Sequence, residues 1–138
     1  MNEDHPAKLD ISAGSWGGFS RDVTLADDGT VVYEKHGVAH VLEERHEVRP
    51  SKRAWSRFLG ELDRLGVWDW RREYFDPNVC DGTQWEVEIQ HGEHVIKTFG
   101  SNCYPRANGT PSRDDDPTGC FEEFCQAVSR LAGGRPFR

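Results

Sequence analysis

The sequence predicts an α+β domain: an antiparallel sheet of five or six strands, in the order β-meander, helix, β-hairpin, helix, with both helices packed on one face. Three observations carry this prediction. Short runs that alternate apolar and polar residues fill the first 48 positions and are separated by glycine-bearing turns. Two longer segments, near 51–65 and 118–132, repeat apolar residues at helical spacing. Between them, Thr83–Gln90 and His94–Phe99 flank a polar break at His91-Gly92-Glu93, which reads as a hairpin with Gly92 supplying the positive φ of its turn.

Residues 1–7 are expected to form a flexible tail and 8–138 a single domain. Lys8–Ala13 alternates Leu9, Ile11 and Ala13 with polar neighbours, as a half-buried strand does. Arg21–Leu25 and Thr30–Lys35 follow as strands joined by Asp27-Asp28-Gly29, a turn with Gly at the position that tolerates positive φ. Val38–Val48 is expected as a fourth strand, with helix as the alternative for Leu42-Glu43-Glu44-Arg45. Pro50 or Ser51 opens the first helix, whose stripe is Trp55, Phe58, Leu59, Leu62 and Leu65, and Gly66 stops it. Its first turns carry Lys52, Arg53 and Arg57, where the helix dipole disfavours positive charge by a few tenths of a kcal/mol. Val67–Tyr74 is expected as an irregular segment or short strand over the sheet edge. Asn102–Thr118 is expected as a polar loop, and a last helix over Thr118–Ala132 turns Phe121, Phe124, Val128 and Leu131 inward.

Charge narrows the classes of partner. With 17 basic and 24 acidic residues the net charge is −7, and nucleic-acid affinity comes mostly from neutralising phosphates, so no nucleic-acid partner is expected. No apolar run approaches the roughly 20 residues that cross a bilayer, so no membrane partner is expected. The acidic, polar N-terminus does not read as a secretory signal, and the expected location is cytoplasmic. In that compartment Cys80, Cys103, Cys120 and Cys125 are expected as thiols.

Chemistry is thinly marked. The cysteine spacings of 23, 17 and 5 lack the tight pairs of a structural zinc site, so no metal and no cofactor are expected. No nucleophile elbow, phosphate-binding loop or paired zinc-protease histidines occur, and an enzyme is not the expectation. A two-residue turn at His91-Gly92 pairs Gln90 with Glu93, and counting outward sets Cys80 opposite Cys103 as a candidate thiol pair or thiol–metal site. The stronger candidate is a contact surface. Trp16, Gly17, Gly18 and Phe19 form a glycine-rich aromatic connection, and Trp68, Trp70, Tyr74 and Tyr104 lie outside the periodic stripes, with Arg106 near them. Trp and Tyr carry much of the energy of interfaces, so these positions predict an exposed aromatic patch that binds another protein.

Two motifs carry a resemblance. Ser15-Trp16-Gly17-Gly18-Phe19, with one inserted Trp, and Leu25-Ala26-Asp27-Asp28-Gly29-Thr30-Val31-Val32-Tyr33 resemble the Gly-Gly-Phe loop and following hairpin of small bacterial domains of unknown function. The same outline is similar to emfourin-type protease inhibitors. The resemblance implies an α+β fold and a non-catalytic, inhibitory role, and matches no particular inhibitory residue.

Overall fold

Alternation in the first third of the chain builds four strands that pair antiparallel in order: β1 (Lys8–Ser15), β2 (Ser20–Leu25), β3 (Val31–His36) and β4 (Leu42–Val48). The computed structural model describes residues 5–15, 18–75, 83–101, 103–105, 111–113 and 120–137. The β2–β3 turn is held by Gly29 at φ +88° and by the Thr30 N–H, which donates to Asp28 Oδ1 at 3.0 Å. The expected fourth strand is shorter than its apolar run. Val38–His40 forms a 3-10 turn, and the strand begins only at Leu42.

Helix α1 (Lys52–Leu65) starts where Ser51 accepts the Ala54 N–H at 3.0 Å and ends at Gly66, whose φ of 68° is the left-handed C-terminal cap. It carries the chain from the β4 edge to the opposite edge. There a 3-10 turn at Val67–Asp69 precedes β5 (Glu73–Phe75). The long hairpin β6 (Thr83–His91) and β7 (His94–Ser101) completes the sheet, whose order is β4-β3-β2-β1-β6-β7-β5. Every pairing is antiparallel except β5 with β7. The sheet thus has seven strands against the five or six expected, because the segment covering its edge pairs as a true strand.

Two further expectations are corrected. The hairpin register pairs His91 with His94 and Gln90 with Val95, so Gly92 and Glu93 form the turn, shifting the register by two from the expected Gln90–Glu93 pairing. Within the expected polar loop, β8 (Cys103–Pro105) and β9 (Pro111–Arg113) pair as a small ribbon. The last helix, α2, runs Cys120–Leu131.

One face of the sheet carries the core. Leu9, Ile11, Val23, Val31, Tyr33, Trp85, Val87, Ile89 and Ile96 are buried in one cluster with Trp55, Phe58, Leu62 and Leu65 of α1 and Phe121, Phe124, Val128 and Leu131 of α2. Both helices therefore cover the same face, as the patterning implied. The centre is aromatic: Trp85 lies 4.8 Å from Phe121 and Trp70 lies 5.2 Å from Phe124, ring centre to ring centre. No helix among the described residues is long and apolar enough to cross a membrane.

Candidate functional site

Since both helices sit on one face, alternation turns the other set of strand residues to solvent. Cross-strand pairing orders them into rows. One row runs Ser12, Asp22, Glu34, Arg45, and the next runs Gly14, Ser20, His36, Leu42. At the end of this face a cleft of about 490 Å³ opens, floored by Ser12, Gly14, Ser20 and Asp22. Gly18 lines it on one side and Gly37, Ala39 and His40 on the other. Glycine is required at position 14, where a Cβ would stand 2.6 Å from the Ser20 Cβ, closer than carbon atoms approach.

The wall formed by the 3-10 turn is strained. Ala39 (φ 61°) and His40 (φ 57°) both hold left-handed backbone, which costs an L residue roughly 1–2 kcal/mol each. The turn is closed by the Gly37 N–H, which donates to the Val41 carbonyl at 2.8 Å. Strain of this kind persists only where surrounding contacts over-determine it, and it concentrates at functional sites.

The electrostatics of the face are dominated by two carboxylates set directly opposite each other, Asp22 and Glu34, an arrangement that is repulsive when isolated. Two side chains answer them. Arg45 Nε lies 3.5 Å from Glu34 Oε2, and His36 Nδ1 lies 3.3 Å from Asp22 Oδ2. A bulge between Lys35 and His36 shifts the β3–β4 register at this point. Partial burial pushes the Asp22 carboxyl above its ordinary value. His36 opposes that shift, while Asp10 and Glu34 add to it. Among the described residues, Asp22, Glu34 and His36 place a potential ligand atom each within 4.8 Å of one another.

The positions expected to form the contact surface divide. Gly18 lines the cleft, and Phe19 beside it is exposed, with Lys35 Nζ 4.6 Å from its ring centre. Trp70, Tyr74 and Tyr104 are buried in the aromatic core, which corrects the expected exposed patch. Trp68 is partly buried, stacks on His94 at 5.0 Å, and donates its Nε1 hydrogen to Asp63 at 2.8 Å. Trp16, Gly17, Arg106 and Cys80 lie outside the described residues. Of the candidate thiol pair the structure therefore places only Cys103, which is buried.

The opposite, helical side has a smaller groove of about 270 Å³ between α1 and α2, where Arg130 joins Arg53 and Arg57. Comparison with protein-family models and with curated proteins finds no match to this chain.

Sequence patterning did not single out Asp22 or Glu34, yet a signal for both was there. Counting outward from the Asp27-Asp28-Gly29 turn pairs Ala26 with Thr30 and so Asp22 with Glu34.

Proposed function

We propose that the domain is a non-catalytic protein-binding module that docks its partner at the cleft end of the open sheet face. The observation that carries this reading is where its exposed apolar side chains lie. Among the described residues six large apolar side chains are exposed, and four belong to this end: Phe19 (49%), Val38 (68%), Val41 (59%) and Leu42 (48%). Fully burying such a side chain is worth about 1.5–3 kcal/mol, so four together supply a usable docking energy. The strained Ala39–His40 turn that presents Val38 and Val41 supports the same reading. Asp10, Asp22, Glu34, Glu86 and Glu88 spread along the neighbouring rows, and this acidic surround favours a partner that brings Lys or Arg to the rim. The emfourin-type resemblance implies that the partner is a protease whose activity falls on binding.

The test uses the full chain as bait against host extract, beside a Phe19→Ser, Val41→Ser double variant. The expected result is a protein that the wild type captures and the variant loses, and that, once purified, rebinds and slows amide exchange across 37–42. Equal capture by both baits, or protection confined to another face, overturns the reading. If the captured protein is a protease, the inhibitory form of the proposal predicts slower peptide hydrolysis in the wild-type complex.

A further inference from the structure

We propose that Asp22, Glu34 and His36 form a binding site for one divalent transition cation, of which zinc is the representative. Two carboxylates stand directly opposite on β2 and β3, a pairing that is unfavourable unless a cation lies between or beside them. Arg45 reaches one oxygen of Glu34, Oε2, from the next strand. The carboxylate's second oxygen is then available to an ion. One guanidinium leaves the two carboxylates with a net charge of −1, and a divalent ion beside a neutral imidazole would offset the repulsion that remains.

Geometry agrees with that chemistry. The three ligand atoms lie within 4.8 Å of one another. Tetrahedral zinc with bonds of about 2.0–2.2 Å sets its ligand atoms about 3.3–3.6 Å apart. Closing from 4.8 Å to that spacing asks for a movement of about 1 Å, within the reach of the rotatable Glu34 side chain. His36 already directs Nδ1 toward Asp22, at 3.3 Å. A nitrogen donor beside two oxygens suits zinc, manganese, iron or cobalt and not calcium or magnesium, which take oxygen ligands. Three protein ligands leave a position for water or for a group from outside the protein, and Asp22 also floors the cleft, which has room for one. This inference does not rest on the docking surface: the ligands are strand residues, and the apolar rim plays no part.

The experiment titrates the full, reduced chain with zinc chloride by calorimetry, and with cobalt(II) while amide resonances are followed. One equivalent should bind, with the largest paramagnetic shifts at residues 22, 34 and 36. Asp22→Asn and His36→Gln should each weaken binding by about tenfold or more, since even loss of a supporting neighbour of a metal ligand costs about 10–100-fold. His46→Gln and His94→Gln should bind as the wild type does. Glu34→Gln makes the same test if either ligand variant fails to fold. No saturable binding, shifts centred elsewhere, or a folded ligand variant that binds like the wild type would each refute the site.

Discussion

Gly100 offers a sharp test of the packing, because two effects there have opposite signs. In an interior strand position alanine is ordinarily favoured over glycine by about 0.5–1 kcal/mol, since glycine loses more freedom on folding. Gly100 stands directly opposite Trp85 in the β6–β7 pairing. A Cβ at that position would lie 2.4 Å from Trp85 Nε1, 2.5 Å from Cε2 and 2.6 Å from Cζ2. The indole cannot step aside. It is 1% exposed, enclosed by Phe121 at 4.8 Å and Tyr74 at 5.7 Å, and its Nε1 hydrogen is donated to the Cys103 carbonyl at 2.9 Å. Overpacking a filled core costs about 1–3 kcal/mol, and leaving that buried N–H unsatisfied costs about 1–3 kcal/mol more. The crowding outweighs the propensity gain, and Gly100→Ala should destabilise by about 3 kcal/mol. At about 3–5 °C per kcal/mol for a chain of this size, the melting temperature falls by about 9–15 °C. Thermal denaturation followed by near-ultraviolet circular dichroism reads both stability and the indole's environment. Trp85→Phe removes the three crowded atoms, so in that background Gly100→Ala should cost under about 1 kcal/mol. A single variant that melts within about 2 °C of the wild type with an unchanged near-ultraviolet spectrum would refute the contact.

Three other outcomes follow from the same structure. Phe124 is fully buried against Trp70 and Phe121, so Phe124→Ala should cost about 3–5 kcal/mol in urea denaturation, and an unchanged midpoint would place α2 off the core. Ser51→Ala removes the cap on the Ala54 N–H and should cost about 1 kcal/mol by the same assay, a loss that Ser51→Asp largely restores. Asp22 has its folded pKa raised above the unfolded value, so the folded chain holds that proton more tightly and the ionised carboxylate works against folding. The penalty is absent below the ordinary carboxylate value and complete above the raised one. Asp22→Asn should therefore gain on the wild type as pH rises through that window, with no metal present. A stability difference that is flat or falls with pH contradicts the assignment.

How far these features could be read from residues alone depends on how local their causes are. The α1 stripe and its stop at Gly66 were legible because spacing and cap lie within one segment, and Trp55, Phe58, Leu62 and Leu65 are all buried. The alternation of β1, β2 and β3 was legible for the same reason. Trp70 and Tyr74 read as surface aromatics because Val67–Tyr74 has no periodicity of its own. What buries them are Trp85 and, for Trp70, Phe121 and Phe124, and nothing near position 70 announces those neighbours. Val38 and Val41 read as strand because both are β-branched and apolar. The left-handed backbone at Ala39 and His40 overrides that preference, and although His adopts it more readily than most residues, Ala does not.

The open face joins both situations, and this explains why its two candidate roles differ in legibility. Asp22 meets Glu34 through the Asp27-Asp28-Gly29 turn, whose Asp28 side chain accepts the Thr30 N–H, so a purely local device sets two carboxylates opposite each other. His36 follows two residues after Glu34 on the same strand, in the same unbroken register with β2, whereas Arg45 joins only through the strand beyond. The acidic pair and the imidazole are thus written in one hairpin, while Arg45 depends on the next strand. The apolar rim goes further, because Val38 and Val41 flank the cleft-lining Ala39 and His40 only through the strained turn, while Phe19 comes from beside Gly18 on the far side. A substitution that relaxes that turn, such as Ala39→Gly, removes strain at one of the two left-handed positions and should raise stability, while loosening the wall that presents Val38 and Val41. If the rim is the docking surface, the same change should weaken capture of the partner even as the melting temperature rises. A variant that is more stable and binds undiminished would separate the strain from recognition and leave the left-handed turn without a role in binding.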